Sequence, residues 1–322
     1  MFDKIISLEN LFDAWTEFKR DKNNKKDVAE FEIGLEDHVF ELHDDLKNGT
    51  YKHGAYLSFF VNDPKRRHIH KASVRDRLLH HAVHRIIETE WNKVFIFDSW
   101  SSRKNKGTHG AVKRLHKLGL KLSRNDTRVL WILKLDVRKF FNSVDHEILL
   151  NILQKRTGDD QLMKLLQNII NSYSPGLPLG NLTSQLFANV YLNEMDQFVK
   201  HDLKIIGYIR YADDFVLIHP NREFLVDCLG KITNFLLEQL HLDVHPKKIV
   251  LKTYASGIDY LGYVCFPHHR VLRTKTKRRM FRRVDEKNFV SYSGVLKHCS
   301  SYMLKRELMR ATKRNDYVDL AP

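Results

Sequence analysis

Two adjacent aspartates, Asp213 and Asp214, stand between two short runs of apolar and β-branched residues, Ile206-Gly207-Tyr208-Ile209-Arg210 before and Phe215-Val216-Leu217-Ile218 after. Such runs on both sides of a tight connection predict a β-hairpin, with Tyr211-Ala212-Asp213-Asp214 at its tip. Asp-Asp pairs are also ordinary turn residues. Here the connection follows an apolar strand directly, and neither Gly nor Asn supplies the positive φ that a two-residue hairpin prefers. That choice of residues points to a functional demand. Adjacent carboxylates repel one another unless something positive lies beside them, and a divalent cation is the simplest remedy.

A further carboxylate stands where such a site needs it. Trp131-Ile132-Leu133-Lys134-Leu135 reads as a buried strand with Asp136 at its C-terminal end, followed by Val137-Arg138-Lys139-Phe140-Phe141. Acidic residues at the ends of neighbouring strands can bind two Mg²⁺ ions roughly 3.5 to 4 Å apart, an arrangement that stabilises attacking and leaving oxygens in phosphoryl transfer. This is polymerase chemistry in outline.

With these residues in place, most of the chain resembles the reverse transcriptases. Asp136 with Phe141 is similar to the first catalytic block of the palm, Pro178-Leu179-Gly180-Asn181-Leu182-Thr183-Ser184-Gln185 to the second, and residues 211–214 to the third. His245-Pro246-Lys247-Lys248 and Tyr260-Leu261-Gly262-Tyr263 resemble the fourth and fifth. Arg67-His68-Ile69 with Ser73-Val74-Arg75-Asp76-Arg77 resembles one fingers block, and the stretch from Asp98 through Arg103-Lys104-Asn105-Lys106-Gly107-Thr108-His109 a second. Seven blocks in order are a specific signal. Most bacterial relatives begin the second palm block with Gln-Gly and end it with Ser-Pro; Leu179-Gly180 and Ser184-Gln185 replace these. With the 103–109 stretch, that variant resembles the enzymes of diversity-generating retroelements, and solitary bacterial enzymes recruited to phage defence are close competitors.

The resemblance implies roles. Asp136, Asp213 and Asp214, with the backbone carbonyl of Val137, would hold two Mg²⁺ ions, Mn²⁺ being an alternative. Phe141 would form an aromatic wall excluding a 2′-hydroxyl, while Phe140 serves the core. Lys248, or Lys247 beside it, would protonate the departing pyrophosphate. Arg67, Arg75 and Arg77 are candidates to grip triphosphate oxygens, with Tyr211, Leu179, Gly180 and Gln185 also facing the nucleotide. Leucine at 179 cannot make the hydrogen bond of a glutamine, so a geometric check on base pairing is lost and copying is careless. Implied partners are a noncoding template RNA, a cDNA and primer duplex, deoxynucleotide triphosphates, and a small basic accessory protein able to oligomerise. An inactive RNA-binding scaffold is the reading from another class.

Charge agrees with a polyanionic partner: 54 Lys and Arg against 39 Asp and Glu leave a formal net charge of +15 over 322 residues. Cys228, Cys265 and Cys299 are far apart, without disulfide or zinc spacing. No signal-peptide core and no span of about 20 apolar residues occurs, which predicts a cytoplasmic protein with no membrane association. His80, His81 and His84 share a probable helix and read as surface or RNA-facing imidazoles.

The expected fold is α+β: a right-hand polymerase with fingers, a ferredoxin-like palm and a short helical thumb. Residues 1–50 read as two amphipathic helices, with stripes at Leu8, Leu11, Phe12, Trp15 and Phe18 and at Leu35, Val39, Leu42 and Leu46. Residues 51–130 would be fingers, with cationic loops at 64–67 and 103–106. Residues 131–267 would be the palm, carrying part of the fingers, in β-α-β-β-α-β order. Residues 268–322 would be a thumb, where Arg270, Arg273, Lys275, Lys277, Arg278, Arg279, Arg282 and Arg283 accumulate without an acidic residue. With Arg103, Lys104 and Lys106 they are the expected nucleic-acid contacts, and Tyr292, Leu296, Tyr302 and Leu304 the thumb's expected core.

Overall fold

In the computed structural model the described residues are 1–62 and 65–318, with side chains placed to residue 312. Pro64, at the head of one expected cationic loop, lies outside them. The N-terminal region holds four helices where two were expected: α1 (Phe2–Ile6), α2 (Leu8–Lys19), α3 (Lys26–Ile33) and α4 (Leu35–Asn48). The expected stripes belong to α2 and α4, which bury Leu11, Trp15 and Phe18, and Val39, Leu42 and Leu46. Of the two additional helices, α1 is only five residues long and α3 buries only Val28, so neither displays a helical stripe. Ser7 caps α2 by accepting from the Asn10 N–H, and Gly49 closes α4 at φ 70°.

The fingers contain an antiparallel pair, β1 (Leu57–Val61) and β2 (Arg67–Lys71), then the long helices α5 (Val74–Asn92) and α6 (Thr108–Leu122). Helix α5 packs against α2 on one side and a palm helix on the other. This corrects the reading of its histidines. His80 is 1% exposed, its Nδ1 2.7 Å from the Thr183 hydroxyl and its Nε2 3.1 Å from His53 Nε2. His81 and His84 are half-buried. A helix gripped on two faces leaves these positions little solvent, and the full burial of His80 is tolerated because both its ring nitrogens find partners.

The palm follows as β3 (Trp131–Asp136), α7 (Phe140–Ser143), α8 (His146–Thr157), α9 (Asp160–Asn171), α10 (Leu182–Gln197), β4 (Gly207–Tyr211), β5 (Asp214–His219), α11 (Arg222–Leu240) and β6 (Val250–Thr253). The strands pair antiparallel in the order β4-β5-β3-β6, the ferredoxin-like arrangement expected of the β-α-β-β-α-β sequence. Alternate residues feed cores on opposite faces. Leu133, Leu135, Phe215 and Leu217 join the helical core under the sheet, whereas Ile132, Ile209, Val216 and Ile218 join a second core shared with the C-terminal region. Two-sided burial is why these strands read as nearly continuous apolar runs. Asp145 caps α8 by accepting from the Glu147 and Ile148 N–H groups.

A small sheet of β7 (Ile258–Tyr260), β8 (Tyr263–Cys265) and β9 (Arg270–Leu272) leads to α12 (Thr274–Arg283), α13 (Glu286–Leu296) and α14 (Tyr302–Val318). Arg270 therefore sits on a strand, and the basic helix begins at Thr274. Met280, Val284, Leu296 and Leu308 form the buried centre of this region, with Tyr292 and Leu304 packed at its edge. Tyr302 is 77% exposed, so it does not belong to that core as expected.

Candidate active site

The β4–β5 register pairs Tyr211 with Asp214 and leaves Ala212 and Asp213 as the two turn residues. Ala212 supplies the positive φ, 51°, which disfavours a residue with a Cβ by about 1–2 kcal/mol. The turn is held from behind by Arg210, which is fully buried. Its guanidinium donates to both Asp196 oxygens at 2.6–3.0 Å, to Asn189 Oδ1 and the Ser99 hydroxyl at 3.0 Å, and to the Ala212 carbonyl at 3.3 Å. Tyr208 donates its hydroxyl to the same Asp196 at 2.8 Å. The Arg210 backbone also bonds the fingers, accepting from Trp100 N–H and donating to the Asp98 carbonyl, both at 2.9 Å. The sequence reading missed this network, although a guanidinium inside an apolar strand is a visible signal for one. Removing one partner would strand a buried charge, a loss of about 3–5 kcal/mol.

Asp136 at the end of β3 is the cross-strand partner of Asp214, and the Val137 N–H donates to the Asp213 carbonyl at 3.3 Å. Three aspartates thus stand at one end of the sheet. Burial and then the neighbouring Asp136 push Asp213 up to about 6. Burial also raises Asp214, against the pull of Lys134, whose Nζ lies 3.3 Å away. Lys248 forms an ion pair with Asp136. Lys134 was read only as part of a strand; it also donates to the Asp259 carbonyl at 3.1 Å and so ties β3 to β7. Lys65, Lys134, Asp136, Asp214, Lys247 and Lys248 line a cavity of about 420 Å³ together with Arg273.

Among the described residues, no three His, Cys, Asp or Glu side chains are grouped so as to hold a metal ion, and lysines engage Asp136 and Asp214 instead. The donor set still fits a hard divalent cation in its chemistry. Crowded carboxylates of raised pKa offer oxygen ligands whose mutual repulsion a cation would relieve.

The nucleotide-facing candidates divide. Phe141 is half-buried, edge-on to the buried Phe140 with ring centroids 5.6 Å apart. The Leu179 carbonyl accepts from the His70 N–H at 2.8 Å, and a Cβ at Gly180 would meet Ile69 at 2.9 Å, so the second palm block is pressed onto β2. Gln185 accepts from the Ser102 hydroxyl at 2.9 Å, and the Tyr211 and Thr108 hydroxyls are 3.2 Å apart. Arg67 is exposed at the start of β2. Arg75 and Arg77 are instead ion-paired to Asp45 and Asp27 of the N-terminal helices, over the rings of Tyr51 and Phe18.

The cationic candidates divide likewise. Arg103 is engaged within the protein, donating to Asn92 at the end of α5 and to the Ile96 and Ser99 carbonyls, and Lys106 lies 3.6 Å from the Phe97 ring centroid and bonds the Phe97 carbonyl. Lys104 is exposed. Arg273 pairs with Asp259, and Lys277 lies over Phe281. Arg273, Lys275, Arg278, Arg279, Arg282 and Arg283 line a cleft of about 840 Å³ that Asn62 and Lys65 of the fingers close from the other side. Lys65 and Arg273 are common to this cleft and the carboxylate cavity, so the two adjoin.

A ferredoxin-like sheet presenting three carboxylates beside a basic cleft defines a right-handed polymerase. The family described as reverse transcriptase (RNA-dependent DNA polymerase) matches residues 56–265, more than half of the chain, and the chain belongs to that family. It is similar to Protein YkfC of Escherichia coli K12, 25% identical over 281 residues that cover 73% of this chain and 71% of that protein. It is similar also to the group II intron-encoded protein LtrA of Lactococcus lactis subsp. cremoris, 26% identical over 320 residues that cover 76% of this chain but only 51% of LtrA. The structure of apo telomerase from Candida tropicalis shares the fold, with a TM-score of 0.55 over 77% of this chain and 52% of that one at 13% identity. The family's reaction is RNA-directed DNA polymerisation. No described helix is long and apolar enough to cross a membrane.

Proposed function

We propose that this chain copies a dedicated noncoding RNA into cDNA, with low fidelity, as the polymerase of a diversity-generating retroelement. The observation that carries the chemistry is the register joining Asp136 to Asp214, with Asp213 in the adjoining turn beside a cation-lined cavity. Asp136, Asp213, Asp214 and the Val137 carbonyl would hold two Mg²⁺ or Mn²⁺ ions. When bound, such ions lower the pKa of a primer 3′-hydroxyl and neutralise the triphosphate. Lys248 supplies a proton to the departing pyrophosphate, and Phe141 excludes a 2′-hydroxyl from the sugar pocket. Lys275, Arg278 and Arg282, with their neighbours across the cleft, hold the phosphates of the template and primer duplex.

Leu179 supports the retroelement assignment. Its side chain has no hydrogen-bonding atom where wider-family enzymes carry glutamine, and a polar contact worth about 1 kcal/mol changes discrimination severalfold. Leu179→Gln is expected to lower misincorporation, opposite template adenine above all, by about threefold to tenfold in a primer-extension fidelity assay; unchanged error would remove this support. An antiphage role with its own structured RNA shares the chemistry. Sequencing the nucleic acids that copurify with the chain separates the two: a repeat matching a variable gene segment supports diversification, and an unrelated structured RNA supports defence. A small basic accessory protein is the expected partner in the first case.

A further inference from the structure

We infer that His146 is a positioning residue that sets sugar selectivity by fixing the backbone beneath Phe141. The inference rests on the reading of Phe141 as the wall of the sugar pocket and extends it. Phe141 begins no regular element of useful length; α7, from Phe140 to Ser143, is only one turn. Its height is set instead by a separate segment. The Leu177 N–H donates to the Phe141 carbonyl at 2.7 Å, and Leu177 itself is buried. The preceding residue, Gly176, adopts φ +70°, and a Cβ there would lie 2.2 Å from the Phe141 oxygen and 2.7 Å from the Asn142 backbone. Only glycine permits this approach.

His146, the first residue of α8, donates its Nε2–H to the Gly176 carbonyl at 2.7 Å. One imidazole therefore clamps the Gly176-Leu177 peptide against Phe141. Two residues further on, the Leu179 carbonyl accepts from the His70 N–H at 2.8 Å, so the clamped segment runs on into the second palm block. Slackening the anchor lets the Phe141 ring withdraw, and room for one extra hydroxyl is the whole of the discrimination.

The test is single-nucleotide primer extension comparing deoxynucleotides with ribonucleotides for the parent, His146→Ala, His146→Gln and Phe141→Ala. His146→Ala is expected to reduce discrimination about tenfold, the scale of one lost hydrogen bond, chiefly by lowering KM for the ribonucleotide while kcat for the deoxynucleotide stays near the parent's. His146→Gln, which retains a donor, is expected to restore selectivity. Parental discrimination in His146→Ala, or a failure of Gln to restore it, overturns the inference. Should His146→Ala not fold, His146→Leu, of similar bulk and without a donor, takes its place, and there too parental discrimination counts against the clamp. Phe141→Ala separates the two levels. If it leaves discrimination unchanged, the sugar wall itself is wrong; if it abolishes discrimination while the anchor variants do nothing, only the role of His146 fails.

Discussion

At Asp213, catalysis and stability pull in opposite directions. The carboxyl ionises near 3.8 in an unfolded chain and near 6 in the folded one, because burial and Asp136 both penalise its charge. Above that range the charged form favours unfolding, and the penalty fades as pH falls through 6 toward 3.8. In a chelating buffer at pH 7.5, Asp213→Asn is therefore expected to raise the melting temperature by a few degrees, and in Mg²⁺, where the parent extends a primer, to abolish RNA-templated synthesis. A calorimetric melt with no increase would contradict this account of the turn. The aspartates were legible in the sequence because polar residues at the ends of apolar runs stand out. The ion pairs of Lys134 and Arg210 were not, since their counter-ions Asp214 and Asp196 come from other elements, and a basic residue signals a need for a partner without naming it. Arg75 and Arg77 make the same point, their partners Asp45 and Asp27 lying on helices far upstream.

Among the elements, α5 carries the clearest pH response. Burial, helped by His53, holds His80 down to about 3, and burial with Lys22 holds His81 at about 4. The unfolded chain takes up these protons near 6.5, whereas the folded chain resists until pH 4 or below. Between those values the unfolded state binds more protons, so stability falls as pH drops and is unaffected above 6.5. At pH 5, His80 alone is expected to remove about 2 kcal/mol, read as a lower urea midpoint than at pH 7.5. His80→Gln flattens that slope; an equally steep slope would assign it elsewhere. Long helices and the palm strands were legible from periodicity. The β7–β9 sheet was not, because three-residue strands are too short to display alternation; nor were α1, too short to show a helical period, and α3, with Val28 its one buried residue.

For the whole molecule, the excess of positive charge has a location. It lines the cleft between α12 and the fingers tip, next to the carboxylate cavity. Replacing Lys275, Arg278 and Arg282 together by Ala is expected to weaken template and primer binding by about 10- to 100-fold at moderate salt, and to reduce the slope of log affinity against log salt by about 2 to 3. An unchanged slope would place the duplex elsewhere. The basic run at the C-terminal end was plain in the sequence; that Lys65, from the fingers, faces it across one cleft depends on tertiary contacts no local pattern encodes. The central claim is that the carboxylates at the ends of β3 and β5 are the catalytic centre of an RNA-directed DNA polymerase. RNA-templated primer extension by the purified chain in Mg²⁺ or Mn²⁺, parent against Asp136→Asn, tests it most directly. The parent is expected to extend the primer and Asp136→Asn to bind template and primer equally well without measurable extension, whereas extension by Asp136→Asn at the parental rate would contradict the account.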